Sequence, residues 1–425
     1  MRSPLRTIPL ERSFVSPPIR TPTTIFYGWY VVGATFLVLF AGFGAIYSFG
    51  AFFLPLSKEF GAGRAAVAAV FSYAVFTLFV TGAFSGMIAD RSGPKKIMAV
   101  GVFAIAMGLL GASTAKHLWQ VSVCFTFGIG MGVGFVYVPA VSAVQRWFEH
   151  KRGLASGLAV TGIGVGTLVM PIVAGQLLEV MVWRYVLVIM AAGVVVLGSI
   201  AVYLIEAEPG ARGLAPDGRS LRLEDAVPSD RNHQLGPMMR SRPFTLFYAA
   251  QAVLSIPVFI PFVHLVPYAE DMGLGRTQAV SVLGLFGLGS TAGRFIVGAL
   301  ADRIGRRRTL ILLLAGMIAA YMMWLAATGV GSLACFAVWF GLCYGGYVAL
   351  SPALLADYFA GPKLSSVIGV QYTASSIGSL LGPILAGYLF DLTGAYTYAL
   401  YIGTACSIGA LCLVLTMPEP SRGSR

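Results

Sequence analysis

The sequence predicts an all-α membrane protein in which 12 transmembrane helices form two pseudo-symmetric six-helix bundles. Three observations lead to this fold class: an apolar composition, twelve long apolar segments and an internal repeat. Of the 425 residues, 57% are hydrophobic and only 11% are charged, and the mean hydropathy is +0.81. Soluble domains carry about 25% charged residues, so the composition excludes a soluble globular protein.

The net charge of +12 does not indicate nucleic-acid binding. The basic residues occupy short loops and the termini, which is the positive-inside pattern of a membrane protein. The five cysteines lie inside apolar segments without metal-ligand spacing, and no nucleophile–base pair is recognisable. We therefore predict no enzyme activity, no metal site and no cofactor, and a lipid bilayer around the chain.

Apolar segments of about 20 residues or more, long enough to cross a bilayer, occur twelve times. Their predicted limits are residues 26–54, 65–89, 96–115, 118–147, 152–178, 184–206, 243–269, 277–300, 309–328, 331–358, 364–390 and 395–417. The predicted domains are a tail at 1–25, a six-helix bundle at 26–206, a polar linker at 207–242, a second bundle at 243–417 and a tail at 418–425.

The distribution of Lys and Arg predicts the orientation. With both termini on one side, that side holds 23 of the 29 basic residues and the other side five, while Arg294 remains within a span. The positive-inside rule therefore predicts that both termini are cytoplasmic. Residues 1–25 lack an apolar core and predict no signal peptide, so we expect a multi-pass protein of the plasma membrane, the inner membrane of a bacterium.

The two halves repeat at a constant shift of 212 residues. The matched pairs include Pro55 and Pro267, Arg64 and Arg276, Gly86 and Gly298, Asp90 and Asp302, Gly157 and Gly369, and Pro171 and Pro383. Such repeats are typical of secondary transporters, whose two bundles enclose a central cavity.

Arg294 breaks this symmetry, because its repeat partner is Gly82. A charge inside an apolar helix costs roughly 2.5–3.5 kcal/mol on insertion scales, so such a charge is usually functional. We interpret Arg294 as an anion site in the cavity. The alternative is that its long side chain extends to the cytoplasmic interface.

Two motifs resemble those of a known family. The turns Gly86–Gly93 and Gly298–Gly305 both read Gly-x-x-x-Asp-Arg-x-Gly, which resembles the signature of the major facilitator superfamily. The segment Trp147–Gly166 is similar to the aromatic-Phe-x-x-(Arg/Lys)-Arg-x-Leu-Ala-x-Gly motif of the monocarboxylate transporters, relatives of the oxalate:formate antiporters. The resemblance extends from Tyr27 to Thr416 and implies the major facilitator fold.

By this resemblance, Arg294 binds a substrate carboxylate. The aspartate four residues earlier in animal members is Ser290 here, and their span 1 lysine falls at Tyr47, so both of their proton-coupling groups are replaced. His264 matches a substrate-site histidine of bacterial relatives that lack the aspartate. Because histidine titrates near neutral pH, we expect His264 to share the substrate or carry the proton. The alternative is a histidine near the outer interface, satisfied by backbone or water.

Charge counting favours a monocarboxylate, since one arginine balances one carboxylate. The oxalate:formate exchangers carry a lysine in span 11, whereas span 11 here has no internal charge and offers only Gln371, Ser375 and Ser376 as comparable polar groups. Aromatic residues of spans 4 and 10 are expected either to line the cavity or to serve core and lipid-belt packing. The candidate substrate site comprises Arg294, His264, Ser290, Tyr47, Tyr137 and Tyr344.

The repeated Asp-Arg turns predict a cytoplasmic gate, although plain solvated loop charges are the alternative. The predicted gate residues are Asp90, Arg91, Lys95, Arg146, Arg152, Asp302, Arg303 and Arg306. By the resemblance, Asp90 docks on the start of span 11, where a helix N-terminus stabilises negative charge. Glycines at 128–134 and 162–166 follow no strand, so they indicate close helix packing rather than a nucleotide-binding loop.

The sequence thus predicts a secondary active transporter of small monocarboxylates such as lactate or pyruvate, coupled to protons and working by alternating access. Two alternatives stay open: an organic-anion exchanger of the oxalate–formate type, and a non-transporting nutrient receptor on the same fold. The expected partners are the carboxylate, protons and the bilayer. An accessory subunit, which some animal members require, is neither predicted nor excluded.

Overall fold

The computed structural model describes residues 26–149, 151–218, 235–359 and 364–419. The predicted tail at 1–25, the end of the tail at 418–425, part of the linker and His150 lie outside these residues. Every long element of the described chain is helical, and no strand occurs in it.

The helices of the first half are α1 (Gly28–Tyr47), α2 (Phe49–Phe60), α3 (Arg64–Ser92), α4 (Pro94–Ser113), α5 (Leu118–Val123), α6 (Met131–Trp147), α7 (Arg152–Val180) and α8 (Trp183–Leu204). A π-helical segment, Cys124–Gly130, joins α5 to α6. Short 3-10 turns at Pro209–Arg212 and Pro216–Gly218 follow α8.

The helices of the second half are α9 (Leu235–Met239), α10 (Arg242–Asp271), α11 (Arg276–Ile304), α12 (Arg306–Leu325), α13 (Val330–Tyr358), α14 (Leu364–Thr393) and α15 (Thr397–Leu415). In the described chain, 12 candidate spans are long and apolar enough to cross a membrane. The α1–α2 pair forms one span and the α5–α6 pair another. The prediction of a 12-span helical membrane protein is confirmed.

The sequence repeat is present in the helix boundaries. α3 and α11 begin and end 212 residues apart, as do α4 and α12. Glycines Gly93 and Gly305, with φ of 83° and 92°, end α3 and α11 at equivalent points of the two halves. Both lie in the left-handed region that favours glycine, so the same tight turn is built twice.

The glycines of α7 let two helix backbones approach closely, as expected. A Cβ on Gly162 would lie 2.3 Å from the carbonyl oxygen of Phe36, and one on Gly166 would lie 2.6 Å from that of Phe40. Any larger side chain would push α1 and α7 apart. The close-packing interpretation is confirmed, and these glycines belong to helices rather than to a phosphate-binding loop.

Two faces of the protein can be distinguished. The linker face holds the start of α1, the end of α8 and the end of α15. On this face the Tyr27 hydroxyl donates to the Leu204 carbonyl at 3.0 Å. The opposite side, called the far face here, holds the starts of α3 and α11. The two halves meet chiefly where α3 packs on α14 and α7 packs on α11.

Candidate anion-binding site

Arg294 lies inside the protein at the contact between the two halves. Its residue is 8% exposed, and Nη1 donates to the carbonyl of Val160 in α7 at 3.2 Å. The Nε atom is buried without a hydrogen-bond partner. The side chain therefore points across to the other half, which does not fit the alternative that it extends to the membrane interface.

No carboxylate balances this guanidinium in the described part of the chain. Arg294 takes part in none of the ion pairs found there, and no described Asp or Glu is buried. An ion held in the interior without a partner costs several kcal/mol. The site is therefore suited to receive an anion from outside the protein.

Gly164 of α7 makes room for the guanidinium. A Cβ at Gly164 would lie 3.0 Å from Nη1 of Arg294 and 2.0 Å from Oγ1 of Thr291. The Thr291 hydroxyl is itself buried without a hydrogen-bond partner. Sequence reasoning missed Gly164 as a site residue, because a glycine in a glycine-rich helix resembles any other packing position.

Tyrosine side chains surround Arg294. A cavity of about 70 Å³ contains Arg294, Tyr47, Tyr137, Tyr344 and Tyr372 in its wall. At 10–15 Å³ for each water-sized position, the cavity has room for about five to seven small groups, which suits a compact organic anion. The structure thus brings together four of the six predicted site residues, and adds Tyr372.

A polar network of the second half lines the same cavity. Oε1 of Gln251 accepts from the Tyr347 hydroxyl at 3.0 Å and from Nε2 of Gln371 at 3.1 Å, and its Nε2 donates to Oγ of Ser375 at 2.8 Å. Gln251 is 3% exposed within an apolar helix. An amide side chain within an apolar helix is a feature of the sequence that could have identified Gln251 as a site residue.

His264 is not part of the Arg294 cavity. It lies seven residues before the far end of α10, about 10 Å deep, whereas Arg294 follows the far end of α11 by 18 residues, about 27 Å. Nε2 of His264 lies 2.8 Å from the Pro383 carbonyl, and Nδ1 lies 2.9 Å from the Tyr396 hydroxyl. Because a carbonyl only accepts, Nε2 carries the proton and Nδ1 accepts from Tyr396. The structure does not bring His264 to Arg294.

Ser290 is also separate from the cavity. It is 2% exposed and packs on α13, where a Cβ on Gly345 would lie 1.9 Å from its carbonyl oxygen. It lies one helical turn before Arg294 on α11 and does not line the cavity of about 70 Å³ described above. A contact from its hydroxyl to a ligand at Arg294 stays a prediction.

The far face is closed by contacts between the two halves. Arg64 at the start of α3 makes two hydrogen bonds of 2.7 Å to the Asp271 carboxylate and a third of 2.7 Å to the Tyr396 hydroxyl. The backbone N–H groups of Arg64 and Ala65 donate to Asp391 at 2.8 and 2.9 Å. These contacts join the first half to the second and prevent access to Arg294 from the far face.

The linker face is open. A second cavity of about 750 Å³ extends from the linker ends of α3, α6 and α14 to Leu78, Phe79, Tyr137 and Tyr372, which also line the Arg294 cavity. The two spaces therefore lie next to each other, with Arg294 in the wall of the inner one.

Three of the described gate residues form ion pairs within one half or with the linker. Lys95 pairs with Glu206 at 3.2 Å, Arg146 with Glu208 at 3.7 Å, and Arg306 with Asp357. Arg91 and Arg303 are exposed at the ends of α3 and α11. The side chains of Asp90, Arg152 and Asp302 lie outside the described set. None of these three ion pairs connects the two halves, and the gate stays a prediction.

Twelve spans in two repeated bundles, with a buried cation at the contact between them, define a secondary-transporter class of protein. The sequence model of the Major Facilitator Superfamily matches residues 34–340 and 246–425. The chain therefore belongs to the Major Facilitator Superfamily.

Similar proteins include monocarboxylate transporters. The chain is 27% identical over 398 residues to "Monocarboxylate transporter 13" of Bos taurus, covering 92% of this chain and 90% of that protein. It is 27% identical over 412 residues to "MFS-type transporter opdF" of Penicillium oxalicum (strain 114-2 / CGMCC 5302), covering 95% and 93%. The resemblance to monocarboxylate transporters is thus confirmed at the level of similar sequences, and these relatives are transporters rather than enzymes.

A solved structure confirms the fold. A bacterial homologue of the human lysosomal transporter Spinster, in an inward-facing and occupied conformation, superposes with a TM-score of 0.70. The superposition covers 92% of this chain and 97% of that chain at 17% identity. At this identity the similarity is evidence for the fold alone.

Proposed function

We propose that the protein is a secondary active transporter of small monocarboxylates, such as lactate or pyruvate, and that Arg294 binds the carboxylate. The observation that carries this proposal is the buried guanidinium, which has an unpartnered Nε and no carboxylate partner among the described residues, beside a cavity of about 70 Å³. A bound carboxylate would accept hydrogen bonds from the guanidinium in the planar geometry that arginine favours.

The number of charges supports a monoanion. Arg294 is the one Lys or Arg that lines this cavity in the described chain. Two unit charges 4 Å apart interact by about 4 kcal/mol at an effective dielectric of 20, so a second carboxylate would be left unbalanced in the interior. Tyrosine hydroxyls add neutral donors around the anion, and the names of the animal relatives are consistent with this substrate class.

The difference between the two faces supports a mechanism of alternating access. We assign the linker face and both termini to the cytoplasm of a plasma-membrane protein, on the basis of the positive-inside rule. The Arg64 contacts then close the extracellular side while the substrate path opens inward. Rocking of the two bundles about the substrate would break these contacts and join the gate residues of the linker face.

His264 is our candidate for proton coupling. An anion moving against 100 mV costs about 2.3 kcal/mol, and a co-transported proton cancels that charge. A proton on Nδ1 would prevent this atom from accepting the Tyr396 hydrogen bond. Because Tyr396 also accepts from Arg64, protonation of His264 would disturb the far-face closure, which links proton binding to outward opening.

Exchange without proton movement is the second candidate. One observation favours it: no Asp, Glu or His lines the Arg294 cavity among the described residues. Proton transfer directly between the substrate and a neighbouring carboxylate or imidazole would then not take place. In exchange, substrate on the opposite side accelerates uptake and the pH gradient has no effect.

The test is uptake of labelled lactate and pyruvate by purified protein in proteoliposomes. Arg294→Ala is expected to abolish uptake, and Arg294→Lys to reduce it strongly because lysine lacks the planar fork. The matched control is Arg308→Ala, which removes an exposed cation from the neighbouring helix α12. Full uptake by Arg294→Ala would refute the carboxylate site, and ligand binding without any uptake would indicate a receptor.

The coupling test uses the same vesicles. Symport predicts that an inward proton gradient drives accumulation and that the gradient acts less on a His264→Gln variant. Counterflow that is insensitive to the pH gradient would instead select the exchanger.

A further inference from the structure

Ser375 differs from the other hydroxyl residues in its part of α14. Thr373, Ser376 and Ser379 each donate to a backbone carbonyl three residues earlier, at 2.6, 2.6 and 2.9 Å. Ser375 makes no such bond to a described residue. Its hydroxyl instead accepts from Nε2 of Gln251 in α10 at 2.8 Å. The hydrogen of Ser375 is therefore free to bind a ligand.

Gln251 fixes the Ser375 hydroxyl in place. Its Oε1 is occupied by two donors, the Tyr347 hydroxyl and Nε2 of Gln371, so its amide nitrogen is directed at Ser375. A carbonyl oxygen has two lone pairs, and both are used here. The result is a chain of hydrogen bonds from α13 through α10 to α14 that ends in one unused hydroxyl donor.

Ser375 and Arg294 face the same space. Both line the cavity of about 70 Å³, one from α14 and the other from α11. A cavity of this size holds a molecule of few heavy atoms, so a ligand held at Arg294 reaches the other walls. Two other serines line this cavity, but Ser255 donates to the Ala252 carbonyl at 2.7 Å and Ser351 to the Tyr347 carbonyl at 2.8 Å, so neither hydroxyl hydrogen is free.

We propose that Ser375, positioned by Gln251, is a specificity-determining residue that donates a hydrogen bond to an oxygen on the carbon chain of the substrate. This inference rests on the proposed function and deepens it. The preferred substrates are short carboxylates with an oxo or hydroxyl oxygen beside the carboxylate end. Unsubstituted acids of equal length are disfavoured, because they would leave the Ser375 donor without an acceptor in a closed site.

The test compares propionate, pyruvate and lactate in proteoliposomes carrying the full-length protein. Ser375→Ala is expected to raise the KM for pyruvate and lactate about tenfold, the effect of one lost hydrogen bond, and to leave the KM for propionate unchanged. Gln251→Leu is expected to act in the same direction, since it frees Ser375 to turn away. Ser375→Thr, which retains the hydroxyl, should keep the preference for pyruvate over propionate.

The matched control is Ser376→Ala, one residue along the same helix, whose hydroxyl bonds the Thr373 carbonyl. It should leave all three KM values unchanged. Equal shifts for the three acids in Ser375→Ala, or no shift, would overturn the assignment of Ser375. Equal KM values for propionate and pyruvate in the wild type would also overturn it, while leaving the monocarboxylate proposal intact. Absence of wild-type uptake for all three acids would overturn the proposed function itself.

Discussion

Arg64 is the residue whose removal should most directly open the far face. The structure gives it two hydrogen bonds to Asp271 and one to Tyr396, all of 2.7 Å. We predict that Arg64→Met shifts the population towards the state in which the far face is open, because methionine keeps an apolar side chain over Phe390 but donates no hydrogen bond. The guanidinium carbon now lies 3.7 Å from the centre of that ring.

The expected magnitude follows from the exposure of the partners. The Arg64 side chain is 13% exposed and that of Asp271 is 37% exposed, so the ion pair contributes about 1 kcal/mol at most. The hydrogen bond to Tyr396 contributes about 1 kcal/mol more. A total of about 2 kcal/mol corresponds to a change of about 30-fold in the ratio of far-closed to far-open protein.

The repeat supplies the matched control. Arg276 occupies the equivalent position at the start of α11, but its contacts to Glu270 and to the Leu178 carbonyl are 3.4 Å long. Hydrogen bonds of this type are normally 2.7–3.2 Å. Arg276→Met removes the same side chain from the same helix position, and should therefore change the ratio less than about threefold.

The assay is a distance measurement by pulsed electron spin resonance. Spin labels are attached at Lys116→Cys and Thr328→Cys, two exposed far-face positions of different halves, after replacement of the five native cysteines. Arg64→Met should add a longer-distance population that Arg276→Met lacks. Unchanged distances in Arg64→Met, or equal changes in the two variants, would refute the reasoning.

Two further predictions concern the site and its closure. Gly164→Ala should raise the KM for lactate and lower the melting temperature in detergent, because the added methyl group would lie 3.0 Å from Nη1 of Arg294 and 2.0 Å from Oγ1 of Thr291. An unchanged KM would show that the guanidinium moves away from the new methyl group. Burial raises the pKa of Tyr396, which lies in the loop between α14 and α15. The hydroxyl should therefore stay protonated, and keep its hydrogen bond to His264, at every pH below the ordinary tyrosine pKa of about 10. The hydrogen bond should be lost only at a pH above that value. Ionisation of Tyr396 should therefore cause no change in the spin-label distances between pH 7 and pH 9. Tyr396→Phe, which removes the hydroxyl, should open the far face over the same pH range.

The parts predictable from sequence are those that depend on one residue or on a periodic pattern. Arg294 was recognisable because a cation in an apolar helix has a high cost, and because Gly82 in the repeat shows that the fold does not require it. The spans were recognisable from length and hydropathy. These properties belong to the chain itself and do not depend on how the helices are rotated.

The rest of the site depends on which side of each helix faces inward. Tyr372 and Gln251 join the cavity only because α14 and α10 turn those positions towards Arg294. Ser290 shares the helix of Arg294 but does not line this cavity. His264 was assigned to the site by resemblance. Its position near the far end of α10 already implied a different depth from Arg294, because the rise per residue converts a position along a helix into a depth.

The unpaired charge of Arg294 has an electrical consequence. When a monoanion occupies the cavity the site is neutral, but the empty protein carries an isolated positive charge between the two bundles. When the closed side changes from one face to the other, this charge moves relative to the electric field of the membrane. Moving one elementary charge through 100 mV changes its energy by about 2.3 kcal/mol. Voltage should thus govern the return of the unloaded carrier, and an interior-negative membrane would hold that carrier facing inward until a new anion neutralises it.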